Sequence, residues 1–193
     1  MLAPWRSLLS GAVHRNRAQP HSRYFQLATV TPDGYPANRT VVFRGFVGNE
    51  SNQLKIITDA RSEKIEDISY QSRAEICWYF TKTREQFRIA GSLQLITANQ
   101  EESDLQKLRH HTWQQISDAA RSQFAWPTPA QPAAEASAFE VAVPDKNSPL
   151  NTFCLLLLIP HQVDHLQLRQ NPQQRCLYRL REDKTWTSQL VNP

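Results

Sequence analysis

Apolar residues recur at every second position over much of the chain, as they do in strands that bury one face. Residues 24–30 (YFQLATV) are β-branched and aromatic enough for a strand. Pro32, Asp33 and Gly34 then supply turn chemistry: proline fixes φ and glycine accepts a positive φ. Residues 37–47 (ANRTVVFRGFV) read as the return strand of a hairpin. Further strands are predicted at 54–58 (LKIIT), 74–80 (AEICWYF) and 84–97 (REQFRIAGSLQLIT), the last bent at Gly91. Toward the C-terminus, 153–159, 163–168, 176–180 and 186–191 are separate strand-like pieces.

Elsewhere the period becomes helical. Trp5, Leu8, Leu9 and Val13 lie roughly on one face of an N-terminal helix. The same segment bears arginines and has no acid before Asp33, which is also the composition of a transit peptide; the spacing favours the helix. At 59–72, Ile65 and Ile68 are three apart, with Ser62 as the expected N-cap. At 100–124, Leu105, Leu108, Thr112, Ile116 and Ala119 predict the main helix, and Trp113, Ala120 and Phe124 widen its face. Residues 126–149 are rich in proline and alanine, so they form a surface excursion or a lid. Many antiparallel strands, few helices and no βαβ alternation predict a mainly β protein. The expected architecture is a closed or split barrel with flanking helices, in a single domain over 1–193.

Composition narrows the chemistry. Net charge is +4, which suits a phosphorylated small ligand; the basic residues are too sparse and unclustered for a nucleic-acid-binding barrel. Cys77, Cys154 and Cys176 show no CxxC spacing, and His110 and His111 have no carboxylates at ligand spacing, so neither a disulfide framework nor a metal site is expected. Free cysteines fit a reducing, cytoplasmic setting, and no apolar run is long enough for a membrane span. Phosphate-binding, dinucleotide and hydrolase motifs are absent.

The anomaly lies in 37–47. Arg39, Val41 and Phe43 share one face of the predicted strand; Thr40, Val42, Arg44 and Phe46 share the other. Each arginine therefore has an apolar setting, which is costly for an unpaired charge. A strand-end position or a carboxylate partner would satisfy it; so would an anionic ligand. A bulge between the two, or a division of roles between ligand and interface, would reconcile their opposite faces.

LATVTPDGYPANRTVVFRGF (27–46) resembles the flavin-binding opening of the pyridoxamine 5′-phosphate oxidase-like family, the FMN-binding split barrels. ITDARSEK (57–64), WYFTKTREQFRIAG (78–91), QQRCLYRL (173–180) and the terminal Trp186-x6-Pro193 follow in the family's order. The resemblance implies an antiparallel Greek-key split β-barrel and a homodimer with FMN at the subunit interface. Carried onto matching positions, Arg39, Thr40, Val41, Val42 and Arg44 would line the flavin, followed by Ile57 and Thr58, with Lys64 near the phosphate. Residues 61–64 sit at a predicted helix N-terminus, which favours an anion, and Arg61 and Lys64 reinforce that field. Gln86 would face the ring, Arg179 would come from the C-terminal region, and Ser122 and Gln123 would match helix-end contacts. Arg175 would fall at a substrate contact. Two departures are visible. The family's Arg-x-His reads Arg175-Cys176-Leu177, and its Arg-Leu-x-Pro ending reads Leu190-Val191-Asn192-Pro193. Leucine neither donates a hydrogen bond nor compensates a phosphate. An FMN-binding oxidoreductase of unassigned substrate is therefore expected, the alternatives being a true pyridoxamine or pyridoxine 5′-phosphate oxidase and a non-catalytic flavin carrier.

Overall fold

Residues 2–193 are described by the computed structural model. Its elements run α1 (Pro4–Asn16), β1 (Tyr24–Val30), β2 (Pro36–Val42), β3 (Leu54–Asp59), α2 (Lys64–Tyr70), β4 (Arg73–Phe80) and β5 (Glu85–Ile96). There follow α3 (Ser103–Gln115), α4 (Asp118–Ser122), β6 (Phe153–Gln167), β7 (Gln174–Leu180) and β8 (Trp186–Val191). All strand pairs are antiparallel, in the order β2-β1-β4-β5-β6-β7-β8, with β3 added on β6.

Closure of the barrel depends on what happens just after β2. Phe43 N–H still donates to the carbonyl of Arg23, the residue just before β1, but Arg44 N–H donates to the Lys55 carbonyl, and Lys55 N–H donates back to the Gly45 carbonyl. The backbone thus leaves β1 and joins β3 within two residues. Gly45 sits at φ +98°, a conformation that favours glycine, and a Phe46–Leu54 bridge completes the seam. The strict alternation expected through 37–47 is therefore interrupted at 43–45. The cause is a change of partner strand, not a bulge within one pairing.

Side chains at alternate positions fill the barrel: Phe25 and Leu27 from β1, Ile76, Trp78 and Phe80 from β4, Phe87 and Ile89 from β5, and Leu156 and Leu158 from β6. The apolar run at 153–158 is continuous because β6 is covered on both sides. Leu156 and Leu158 face the barrel, while Leu155 and Leu157 pack with Ile96 beneath Leu105 and Leu108 of α3. The pieces at 153–159 and 163–168 are in fact one strand. Its first part pairs with β3 and its last part with β7, leaving Pro160 between the two, where its missing N–H breaks neither ladder. Opposite, the register shifts between Ala90 and Gly91, as the glycine suggested. A Cβ on Gly91 would stand 2.4 Å from the Ile159 carbonyl oxygen, so the close crossing excludes a side chain.

Helices also depart from expectation. Trp5, Leu9 and Ala12 form the buried stripe of α1, whereas Leu8 is exposed. The helix expected over 100–124 breaks at Ile116, whose ψ of 154° is extended, and Ser117 caps α4 by accepting from Ala120 N–H. Ala119 is exposed as a result. Helix α2 starts only at Lys64, and Ser62 does not cap it; its hydroxyl is instead engaged with Lys64 and Thr58. Residues 126–149 run irregularly over the surface with one short 3-10 turn.

Candidate functional site

A cleft of about 420 Å³ lies where the end of β2, β3, the start of α2 and α4 converge. From β2 and its continuation, Arg39, Thr40, Val41, Val42 and Arg44 form one wall. Ile57, Thr58 and Asp59 of β3 form the next, with Ser62 and Lys64 at its corner. Ala120, Gln123, Phe124 and Pro129 close the far side. The change of partner at 43–45 brings both arginines to one cavity, although a regular strand would have set them on opposite faces.

The two arginines are held differently. Arg39 has a carboxylate partner: its Nη2 donates to Asp67 Oδ2 at 3.2 Å, and its Nη1 bonds Thr29 Oγ1 and, at 3.2 Å, the Ala37 carbonyl. Thr29 in turn donates to the same Asp67 oxygen at 2.6 Å. Ligand charge is thus not what makes Arg39 tolerable there. Arg44 has no such circuit. Its Nε is buried with no hydrogen-bond partner among the described residues. Burial, and then the charge of Arg23, lower its pKa; the nearby Tyr24 acts the other way.

Lys64 is also partly desolvated. Its Nζ donates to Ser62 Oγ at 2.7 Å and Thr58 Oγ1 at 3.1 Å. Burial lowers its pKa first and Arg39 adds to this, against the opposing pull of Asp59, Asp67 and Glu63. The cleft therefore presents Arg39, Arg44 and Lys64 against one lining carboxylate, Asp59, and that carboxylate is already engaged. Asp59 holds Arg61 through contacts of 2.7 and 2.9 Å, and Arg61 reaches the Trp126 carbonyl at 3.0 Å. Arg61 accordingly anchors the turn after α4 and does not line the cleft. Ser122 also stays off it, donating to the Asp118 carbonyl.

The remaining candidates lie elsewhere on the protomer. Gln86 is in register with Leu166, and Leu166 with Arg175, so all three stand on the outer face of the β5–β6–β7 sheet. Arg179 is exposed further along β7. Arg175 makes a two-point pair with Asp164, Nε–Oδ1 3.0 Å and Nη2–Oδ2 2.7 Å. As site residues, the sequence did not single out Asp59, Ser62, Ala120, Phe124, Pro129 or Asp67. The i, i+2 spacing of Asp59 and Arg61 was the available signal for the first; nothing local marks Asp67, which meets Arg39 across 28 residues. Among the described residues no group of His, Cys, Asp and Glu is placed to hold a metal ion, and no helix is long and apolar enough to cross a membrane.

Known proteins give this geometry its context. The sequence model of the pyridoxamine 5′-phosphate oxidase FMN-binding domain matches residues 2–97. A curated protein of Arabidopsis thaliana, pyridoxine/pyridoxamine 5′-phosphate oxidase 2, is 42% identical over 100% of this chain and 98% of its own length. The crystal structure of a pyridoxamine 5′-phosphate oxidase-related, FMN-binding protein from Nostoc punctiforme is 54% identical, covers 100% of both chains and superposes with a TM-score of 0.97. PhzG from Burkholderia lata shares the fold at 17% identity and a TM-score of 0.79, over 100% of this chain and 98% of its own. The fold is that of the FMN-binding split barrels. The chain belongs to the pyridoxamine 5′-phosphate oxidase family and carries its FMN-binding domain.

The cleft fits FMN on its own chemistry. Its volume lies within the roughly 300–1,000 Å³ usual for small-ligand sites. Val41, Val42, Ile57 and Phe124 offer apolar surface to a flat ring, and the cationic corner with its Thr58 and Ser62 hydroxyls offers a phosphate its donors.

Proposed function

We propose that this chain is an FMN-dependent oxidoreductase acting, as a homodimer, on a small organic substrate. The observation that carries this reading is the cleft itself, in which cations beyond what its one lining carboxylate can balance sit beside an apolar wall at the end of a split barrel. When bound, FMN supplies two-electron redox chemistry that no side chain can. The chain's part is to bind and orient it. Arg39, fixed by Asp67, and Lys64 would hold the phosphate end; Val41, Val42 and Ile57 would pack on the ring; Thr40, Thr58 and Gln123 would offer polar contacts. Gln86, Arg175 and Arg179 lie on the outer sheet face, away from this cleft. A dimer in which that face covers the partner's cleft would bring them to the flavin, and this arrangement is part of the proposal.

The substrate is proposed to differ from pyridoxamine 5′-phosphate. Leu177 replaces the histidine of the family's Arg-x-His, and Arg175 is already paired with Asp164. A second reading, a pyridoxine or pyridoxamine 5′-phosphate oxidase, is favoured by the end-to-end 42% identity with the Arabidopsis protein of that name. Oxygen uptake by the FMN-loaded protein separates them. Turnover of pyridoxamine or pyridoxine 5′-phosphate establishes the second reading. Oxidation of other substrates without these supports the first, and a bound flavin that no reductant reaches indicates a carrier.

A further inference from the structure

A separate cavity of about 260 Å³ lies between the C-terminal half of α1, the 3-10 turn at Pro20–Arg23 and the segment just past β2. It shares no lining residue with the flavin cleft. Its floor is aromatic and fixed. Phe43, 6% exposed, packs on Trp78 with ring centroids 4.9 Å apart and meets Phe46 edge to face at 5.0 Å. Val13 of α1 completes that floor. Consecutive residues thus serve different cavities, Phe43 this one and Arg44 the cleft.

The rim is basic. His14 and Arg17 stand at the end of α1 and Arg23 at the entry to β1; all three are exposed, and no carboxylate lines the cavity. Arg15 pairs with Glu85 at 2.7 Å, whereas neither Arg17 nor Arg23 has an ion pair among the described residues. Cations gather at a helix C-terminus on their own account, and Arg17 Nη1 does donate to the His14 carbonyl at 3.0 Å. That accounts for Arg17 but not for Ser22. Ser22 is 4% exposed and its carbonyl accepts from Trp78 Nε1 at 3.0 Å, yet its hydroxyl, on the cavity wall, has no partner among the described residues. Ser10, the other hydroxyl on the wall, is held by Arg6. A buried hydroxyl without a partner is costly, and a polar atom of a ligand removes that cost.

We propose that this cavity is a second small-molecule site, outside the flavin cleft, for a compound with one aromatic ring and one acidic group. Polarity runs from a buried aromatic floor to an exposed basic rim, so the ligand enters ring first. The ring lies on Phe43 and Phe46, the Ser22 hydroxyl donates to a polar atom beside it, and the acidic group stays at the mouth with Arg17 and Arg23. At about 260 Å³, against about 420 Å³ for the cleft, the cavity suits one ring and not the three of a flavin. The site goes beyond the oxidoreductase reading and does not depend on it.

Arg17 is exposed and its side chain bonds only His14 of the same helix among the described residues, so Arg17→Gln should fold. The test is calorimetric titration of the FMN-loaded protein with benzoate, with phenyl phosphate and with uncharged benzamide, at constant ionic strength. At least one of the two acids should bind about tenfold or more tightly than benzamide, and comparing them tells a carboxylate site from a phosphate site. Arg17→Gln should weaken that binding about tenfold, the scale of one lost charge-assisted hydrogen bond. Val13→Phe, which fills the cavity and removes no charge, should abolish it, with circular dichroism reporting the fold. Arg44→Met, in the flavin cleft, should leave it unchanged. No binding of either acid, affinity no better than benzamide's, or affinity indifferent to Arg17→Gln or to a folded Val13→Phe overturns the site. Binding lost in Arg44→Met and kept in Arg17→Gln overturns it too, since the acid then occupies the flavin cleft.

Discussion

The two ends of one short segment put arginine in opposite circumstances. In the middle of β2, Arg39 belongs to a closed circuit with Asp67 and Thr29, packed between β1 and α2. Just past the end of β2, Arg44 is half-buried beside another arginine, and its Nε has no acceptor among the described residues. Both line the same cleft. The first is fixed before any ligand arrives; the second lacks a partner. A half-buried cation that the fold leaves unneutralised is therefore more informative about ligands than one merely located in a cavity. The charge of Arg39 is spoken for, and what remains is its orientation toward the cleft.

The largest effect is expected from cutting the closed circuit. Asp67→Ala would strand the Arg39 guanidinium and the Thr29 hydroxyl, and should lower unfolding stability by about 3 kcal/mol in a denaturant titration, as removal of one partner of a buried ion pair does. A loss below about 1 kcal/mol would show that the circuit is not closed in solution. A comparable circuit at the other end of the barrel should respond to acid. Burial alone would raise the Glu85 carboxyl, but hydrogen bonds from His165, Arg15 and Thr83 outweigh it and hold the pKa at about 2, below the ordinary 4.5. Because the folded value is depressed, this group's contribution is complete above about pH 4.5 and is lost as pH falls toward 2. Glu85→Gln should flatten the acid side of the stability–pH profile; an unchanged slope would remove Glu85 from the account. The smallest effect belongs to the open end. Arg44→Met removes a charge with no carboxylate partner, so stability should change by less than about 1 kcal/mol or rise. A loss as large as that of Asp67→Ala would mean that Arg44 is neutralised within the fold after all.

The strands were legible because local alternation is enough to define them. Residues 24–30 and 186–191 have the predicted bounds, and Gly91 marks the irregularity expected of it. What escaped was set by distant partners. The 15-residue β6 looked like two strands because Pro160 reads locally as a breaker, and only the handover from β3 to β7 shows why it is tolerated. The buried Arg109 on α3 is another case. It bonds the Phe153 and Leu150 carbonyls, 44 and 41 residues away, which no helical period reveals. In the site, the β2 and β3 residues were visible through their order along the chain. Asp67 and the Arg23 contact were not, because each depends on how α2 or the entry to β1 packs against β2.

The central claim is that the cationic corner of the cleft recognises the phosphate of FMN, with the apolar wall serving the ring. Titration of the flavin-free protein with FMN and with riboflavin, followed by quenching of flavin fluorescence, tests it directly. The two ligands share the ring and differ in the phosphate. FMN should bind at least about a hundredfold more tightly, the scale of two charge-assisted hydrogen bonds, and the preference should shrink in Lys64→Ala. Equal affinity for FMN and riboflavin would contradict the account.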